Sequence, residues 1–400
     1  MLSNSWRFMP HSFRKGKSMK KLAIAAALAA MVSTVNAQSI SIYGVFDNAV
    51  RQDSSANAAG GNRTDMYSGV QSTSRLGFRG TEDLGNGLST RFVLEGGINT
   101  ATGASSQNGS TGSILFDRFA YVALGSKTAG ELQLGRNTGA TLDIAARGIT
   151  DPLRAAMDGV AAPVVVSNAT YGVSSARINQ SIYAYGNTNG LKNSRADGML
   201  KYVNKFGPVG VIAGYSPGGV AGSESASTAT TFGATVDAGP AVLGAAQFVA
   251  KDATGKKATS ATYGGNVKFG AATLTAGYHT VDSDAGYVAS HLTTTATATT
   301  PILGLATTAG PSTEAKIASV GVRYELSSKF ATTLAYYDGE YKNGLGSKGD
   351  LKTTVLFNEY NLSKRTNLYG IIDHAKASND LVATTKSTNV GITAGIRHTF

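Results

Sequence analysis

Arginines are the residues whose spacing in this chain points to a physical task. Gln71, Thr73, Arg75, Gly77 and Arg79 alternate with Leu76 and Phe78, and Ser89, Arg91 and Glu95 stand opposite Leu88, Phe92 and Leu94. A period of two with every charge on one side marks a strand with one polar and one apolar face. A guanidinium stays charged at any relevant pH and is planar enough to stack in a ladder. Set against carboxylates across a narrow gap, such groups create a transverse field that low-dielectric walls focus. The alternative task for Arg75, Arg79, Arg91 and Glu95 is a salt-bridge net that only braces a wall. Covalent chemistry has no comparable signature. The histidines are His11, His279, His291, His374 and His398, and none is spaced with an acid as metal ligands are. His279 and His374 are expected in a lumen or at the base of a loop. The chain has no cysteine, so thiol chemistry and Cys-based metal sites are excluded. No catalytic residue, metal or cofactor is expected.

The elements that must carry these arginines follow an export segment. Met19-Lys20-Lys21 is a positive start, Leu22 to Val32 an apolar run, and Val35-Asn36-Ala37 a small-residue cleavage site. Residues 1–37 are therefore expected to be a signal peptide, with Met1 or Met19 as its start. This segment holds six basic residues and no acid, which leaves 30 basic and 25 acidic residues, a charge of +5 rather than +11. That bias is modest, and no basic patch with interleaved aromatics suggests nucleic-acid binding. After the signal no apolar run approaches the roughly 20 residues of a membrane helix. A barrel shows lipid only alternate residues, so its hydropathy averages near zero. The mean hydropathy of −0.06 fits that, and fits a soluble β protein equally.

Alternating runs succeed one another from Gln38 onward. Five precede Asn137: Ser39 to Val50, Gln71 to Gly80, Leu88 to Ile98, Ile114 to Leu124 and Glu131 to Arg136. Eleven more run from Gly198–Phe206 to Asn389–Phe400. Short turns such as Glu82 to Gly87 and Asn361 to Arg365 alternate with long polar segments such as Gln52 to Ser68, Asn99 to Ser113 and Asp282 to Ser312. Short–long alternation suits a barrel with one tidy end and one facing the exterior. A secreted β-sandwich or adhesin has no reason for it. The expected fold is all-β, a 16-stranded antiparallel transmembrane β-barrel over residues 38–400. Asn137 to Ser194 is far longer than any ordinary connection and carries Tyr171, Ile178, Ile182, Tyr183 and Tyr185. It is expected to fold inward as a constriction loop. Tyr43, Tyr121, Tyr278, Tyr324, Tyr336, Tyr360 and Tyr369 are expected in an interfacial girdle. Phe400, on the apolar face of the last strand, is expected to act as an assembly signal.

Several segments resemble the general porins of beta-proteobacterial outer membranes. They are Ser41 to Asp47, Ser72 to Gly85 with its Arg79-Gly80-Thr81-Glu82-Asp83-Leu84-Gly85 stretch, Leu134-Gly135-Arg136, Asn361 to Thr366 with Leu368-Tyr369-Gly370, and Gly395 to Phe400. The resemblance covers the whole mature chain. It implies a homotrimer in the outer membrane whose third long loop forms an eyelet. The expected partners are membrane lipid and lipopolysaccharide, the barrel-assembly machinery, and small hydrophilic solutes and ions. The implied wall arginines are Arg75, Arg118 and Arg195, with Arg177 competing for the third place. The implied loop acids are Asp143, Asp151 and Asp158. Arg154-Ala155 stands where some relatives place a glutamate, which weakens the acidic side. The implied activity is passive diffusion with a weak anion preference. A substrate-specific channel for sugars or organic acids is the alternative.

Overall fold

The computed structural model describes residues 39–56, 60–105, 115–157, 195–286, 313–344, 346, 348–379 and 386–400. The expected signal peptide, Asp158, Arg177 and the aromatic part of the long loop lie outside them. The first half of the described chain forms β1 (Ser39–Asp53), β2 (Arg63–Ser68), β3 (Arg75–Gly85), β4 (Leu88–Asn99), β5 (Ala104–Ser105), β6 (Phe119–Ser126), β7 (Gly130–Thr138), β8 (Arg195–Phe206) and β9 (Val209–Ser216). The second half forms β10 (Ala229–Ala238), β11 (Ala241–Lys251), β12 (Lys257–Phe269), β13 (Ala272–Ser283), β14 (Thr313–Glu325), β15 (Phe330–Asn343), β16 (Lys348–Asn361), β17 (Thr366–Asn379) and β18 (Thr388–Thr399). β2 and β5 are short pieces of 6 and 2 residues in the long connections. The remaining sixteen strands make the wall, each antiparallel to the next, and β18 pairs with β1 to close it.

Closure is what lipid demands, because hydrocarbon offers no partner to an unpaired backbone group. The seam runs from Val45 opposite Thr399 to Asp53 opposite Gly391. Phe400 extends it: its amide donates to the Gly44 carbonyl at 3.2 Å, and the Gly44 amide donates to the Phe400 carbonyl at 3.1 Å. Its ring lies across Gly44 and meets Phe46 edge-on at 5.2 Å. A Cβ at Gly44 would overlap that ring, so the position needs glycine.

The alternation in sequence is the alternation in space. On β1, Ile40, Ile42, Phe46 and Val50 are exposed, whereas Val45, Asp47, Ala49, Arg51 and Asp53 are buried inside. On β17, Leu368 and Ile372 face out while Asn367, Tyr369, Ile371 and Asp373 face in. One closed sheet replaces the two facing sheets that a sandwich would have. The hairpin from β3 to β4 is tighter than its six-residue expectation, because pairing continues to Gly85 opposite Leu88. Gly85, Asn86 and Gly87 all take left-handed backbone, which suits the hairpin twist.

The same parity corrects the tyrosine girdle. Tyr278, Tyr324, Tyr336 and Tyr360 are exposed on the outer face. Tyr43, Tyr121 and Tyr369 share the inner face of their strands with Val45, Ala123 and Ile371 and point into the barrel. His279 is buried inside, but His374 shares the outer face of β17 with Ile372 and is not a lumen residue.

The two Phe400–Gly44 hydrogen bonds and the Phe46 contact together contribute about 2–4 kcal/mol to closing this corner. Deleting Phe400 is expected to lower the yield of heat-modifiable, folded barrel in membranes. Barrels that do insert should keep the wild-type single-channel conductance. Undiminished yield would show that the corner is dispensable.

Candidate functional site

The inward segment begins where β7 ends. After Gly139 the chain forms α1 (Ala140–Ala146), whose Ala140 and Ile144 are buried against the inner wall. The wall is pared down to receive it. An added Cβ would lie 2.7 Å from Ala140 at Gly233, 2.8 Å from Ile149 at Gly244, and 2.5 Å from Pro152 at Gly321. At Gly277 it would overlap the Thr150 carbonyl. All four glycines are on lumen-facing positions, so the segment crosses the inner surface from β10 to β14. Side chains of the wall fasten it. Thr231 Oγ1 accepts the Ala140 amide at 2.9 Å, and Asn266 donates to the Gly148 carbonyl at 2.9 Å. The Thr150 carbonyl accepts from His279 Nε2 at 3.1 Å and from Ser319 Oγ at 3.3 Å.

Asp151 then forms an elbow and does not face the channel. It is fully buried, and its carboxylate accepts the Leu153 amide at 3.1 Å, the Ala155 amide at 2.9 Å and the Tyr337 hydroxyl at 2.5 Å. The expectation of an eyelet acid at Asp151 is corrected: its lone pairs are used in holding the turn. The turn needs that hold, because Arg154, Ala155 and Met157 all have left-handed backbone, which L-residues adopt at a cost of roughly 1–3 kcal/mol each. The elbow ends with the Met157 amide on the Val70 carbonyl.

The elbow delivers Arg154 to an arc of arginines. Glu359 on β16 binds Arg154 at 3.3 Å and also pairs with Arg323 of β14. Its other oxygen accepts from Gln71 at 2.9 Å, and Gln71 in turn accepts from Asn367 at 2.6 Å. Asn367 accepts from Arg397 of β18 at 3.5 Å, and Arg397 lies within electrostatic reach of Arg75. Arg75 is 3.5 Å from Glu95, which binds Arg118 at 2.6 Å. Arg75 is also fixed by donation to the Thr73 carbonyl at 2.9 Å. The two ends of the arc, Arg118 and Arg154, are thus joined through wall residues of β18, β17 and β16. Loss of water lowers the Arg154 guanidinium from its ordinary value, and Glu359 beside it opposes that shift.

Exposure separates the two signs along most of the arc, although Arg118, at 10%, is as buried as the carboxylates. The side chains of Arg75, Arg154 and Arg323 are 23%, 42% and 20% exposed, whereas Glu95 and Glu359 are 5% and 10% exposed. The carboxylates sit behind the guanidiniums. The nearby Asp47 is fully buried too, accepting the Ser72 amide at 2.6 Å and the Tyr369 hydroxyl at 2.5 Å. The surface offered to a solute along this arc is cationic.

Other expected residues lie elsewhere on the inner wall. Arg79 donates to Ser41 at 3.1 Å and covers the Tyr43 ring at 5.0 Å. Arg91 pairs with Glu131 rather than Glu95, because Glu131 of β7 stands across β6 from it. Arg195 is the first residue of β8 and lies 5.7 Å from the Phe119 ring, next to Arg118 in sequence. Asp143 of α1 binds Lys201 at 2.5 Å and accepts Thr138 Oγ1 at 2.7 Å. Asp143 borders a chamber of about 920 Å³ on the short-turn side of α1, also lined by Tyr121, Glu131, Arg147, Lys201 and Lys205. Lys205 pairs with Asp237 at 2.5 Å, so Lys205, Lys201, Asp143 and Glu131 of the chamber are each matched by an opposite charge. Sequence reasoning missed Arg323, Arg397 and Glu359. Parity would have found them: Arg323 lies between outward Val322 and Tyr324, and Arg397 follows outward Ile396.

Fold and site together define a sixteen-stranded transmembrane β-barrel with an inward loop and a basic lumen arc. Comparison with known proteins carries this further. Residues 23–380 match the family model for the Gram-negative porin, and the chain belongs to that family. It is 40% identical over 134 residues to an outer membrane porin protein of Bordetella pertussis, a match covering 30% of this chain and 34% of the relative. The chain thus aligns with about a third of the length of that curated relative. Among solved structures, the fold is similar to the anion-selective porin from Comamonas acidovorans, with a TM-score of 0.65 at 24% identity over 91% of this chain and 100% of that one. It is also similar to the trimer form of OmpT from Vibrio cholerae, with a TM-score of 0.59 at 13% identity over 91% and 100%.

Asp151→Ala would leave the half-buried Ala155 amide and two buried donors, the Leu153 amide and the Tyr337 hydroxyl, without their acceptor, at roughly 1–3 kcal/mol for each buried group. The elbow should detach, with single-channel conductance rising and the size limit in liposome swelling loosening. A folded Asp151→Ala barrel of unchanged conductance would mean that this segment does not narrow the pore.

Proposed function

We propose that this barrel is an outer-membrane porin: a water-filled channel for passive diffusion of small hydrophilic solutes, with a weak preference for anions. The observation that carries this is the division of exposure along the arc, where the guanidiniums of Arg75, Arg154 and Arg323 meet lumen water and Glu95 and Glu359 sit behind them. Residues 137–194 serve as the constriction loop, and its own Arg154 together with Arg75, Arg118, Arg323 and Arg397 of the wall supplies the field. Arg195 extends the basic side beyond Arg118. The working assembly is a homotrimer, which the trimer form of the Vibrio fold relative supports. The similarity of the fold to the anion-selective porin from Comamonas acidovorans supports the sign of the preference. The function involves no chemical step, and residues 1–37 act only in export.

Magnitudes favour a weak filter. Two unit charges about 4 Å apart interact by ~1 kcal/mol in bulk water and ~4 kcal/mol at an effective dielectric of about 20. A narrow wet pore lies between, so a surplus of one or two positive charges biases permeation severalfold. Charges outside the pore are screened within ~10 Å at about 0.1 M salt.

In a KCl gradient the wild type should show a reversal potential on the anion side, shrinking as salt rises. Replacing Arg75 and Arg118 together with serine should move it severalfold toward cations. Replacing Arg323 and Arg397 should do the same while leaving Glu95 with its partners. Lys348→Ser, outside the lumen, should have no effect. A wild type that already prefers cations would refute the assignment.

A further inference from the structure

The chamber on the short-turn side of α1 carries apolar surface where the lumen of a water-filled barrel is expected to be polar. The β6 wall turns two rings into it, Phe119 and Tyr121, which meet edge-on with centroids 5.9 Å apart. Arg195 lies over Phe119 and Arg91 over Tyr121, and both rings still line the chamber. Val203 of β8 and Val242 of β11 line it too, half-buried beside the cluster that seats Ala140 and Ile144. Seating α1 explains the buried members of that cluster. It does not explain the rings, because α1 packs against β9 to β12 and the rings stand on β6.

Charge in the chamber is nearly balanced, and the exception is Arg147. Lys201, Lys205 and Glu131 have partners in Asp143, Asp237 and Arg91. Lys127 and Asp83, in the short turns, add one charge of each sign. Arg147 is exposed, lines the chamber and has no carboxylate partner among the described residues. The acids four residues to either side of it are spent elsewhere: Asp143 on Lys201 and Thr138, and Asp151 inside the elbow. The surplus is therefore one guanidinium, in a space whose other wall carries two rings.

Those features define a ligand. The volume of about 920 Å³ suits a small organic molecule, for which sites measure roughly 300–1,000 Å³. A guanidinium takes a carboxylate through two parallel hydrogen bonds. A flat ring beside Phe119 and Tyr121 can join their edge-on pair, which a saturated ring of similar size cannot. A neutral sugar would leave Arg147 idle, and a second carboxylate would meet Asp143 or Glu131 with no cation free.

We propose that this chamber binds aromatic monocarboxylates, with Arg147 holding the carboxylate and Phe119 and Tyr121 holding the ring. The proposal rests on the channel reading and names a class of solute that the channel retains on its way through. The site is separate from the arc, since Arg75, Arg118, Arg154 and Arg323 do not line it.

Benzoate is the probe, on barrels first shown to be folded by heat-modifiable mobility. Saturation-transfer NMR on the detergent-purified wild type at high salt should give a saturable benzoate signal. In planar bilayers benzoate should lower the KCl conductance with the same midpoint. Cyclohexanecarboxylate should need about fivefold more or higher, and neutral benzyl alcohol should have neither effect. Arg147→Gln should raise the benzoate midpoint about fivefold or more. Phe119→Leu/Tyr121→Leu should bring the two acids within about twofold of each other. Arg75→Ser/Arg118→Ser should shift the reversal potential and leave the benzoate midpoint near that of the wild type. An Arg147→Gln midpoint equal to the wild type, equal affinity of the wild type for the two acids, or benzoate binding lost only on removal of Arg75 and Arg118 would overturn the proposal. The two readings fail separately. A wild type that conducts but gives no saturable benzoate signal sinks the chamber site alone. A folded wild type that never conducts sinks the channel reading, and the NMR titration still decides the site.

Discussion

A wall in hydrocarbon must make all of its backbone hydrogen bonds within itself, and everything else in this molecule follows from that constraint. The sheet has to close, and it does so where β18 meets β1 and where Phe400 extends the pairing to Gly44. Closure turns one face of every strand to lipid and the other inward. Within the apolar band, charged side chains can then go only inside. An apolar exterior of isoleucine, leucine and valine and an interior holding most of the wall arginines are two consequences of the same alternation. At the long-connection end the outer face changes from Leu356 and Ile372 to Lys352 and Lys376 within four residues, where the apolar band stops.

The second constraint is space. A loop can lie inside a barrel only where the inner wall leaves room. Gly233, Gly244, Gly277 and Gly321 leave it in a line across β10 to β14. Once the loop occupies that side, it needs its own polar anchoring, and Asp151 provides it by accepting from Leu153, Ala155 and Tyr337. The consequence is electrostatic. An acid used to hold the elbow is withdrawn from the lumen, and Arg154 is placed there instead. Charge preference in this pore is thus coupled to how the loop is folded, because the residue that shapes the turn is also the missing counter-charge.

The barrel was legible in the sequence because alternation survives in every strand, and because short and long connections differ so plainly in composition. Boundaries were less so. The strand expected from Ile114 begins at Phe119, and pairing in the hairpin at Asn86 runs further than its turn residues suggest. Arg75 and Arg118 were found from their local motifs, and both do reach Glu95. Arg323 carries no motif and Arg397 lies in the Gly395 to Phe400 segment without being singled out there, because their neighbourhood is made by β18, β17 and β16 curving round to meet β3. Asp151 was misjudged for a different reason. Sequence shows that an acid lies on the inward loop but not which way it points, and a buried hydroxyl such as that of Tyr337, 186 positions away, decides that. Tyr43, Tyr121 and Tyr369 were assigned outward from residue type, when their parity already placed them inside.

The central claim is that exposed guanidiniums outweigh carboxylates kept behind them, and Glu359 is where that balance can be altered most directly. It contacts Arg154, Arg323 and Gln71 at once. Glu359→Gln keeps the size of the side chain and removes one negative charge from the arc. The measurement is the reversal potential of folded Glu359→Gln beside the wild type in one KCl gradient. The account predicts a larger potential on the anion side for the variant. An unchanged potential, or one displaced toward cations, would show that the arc braces the wall without setting which ions pass.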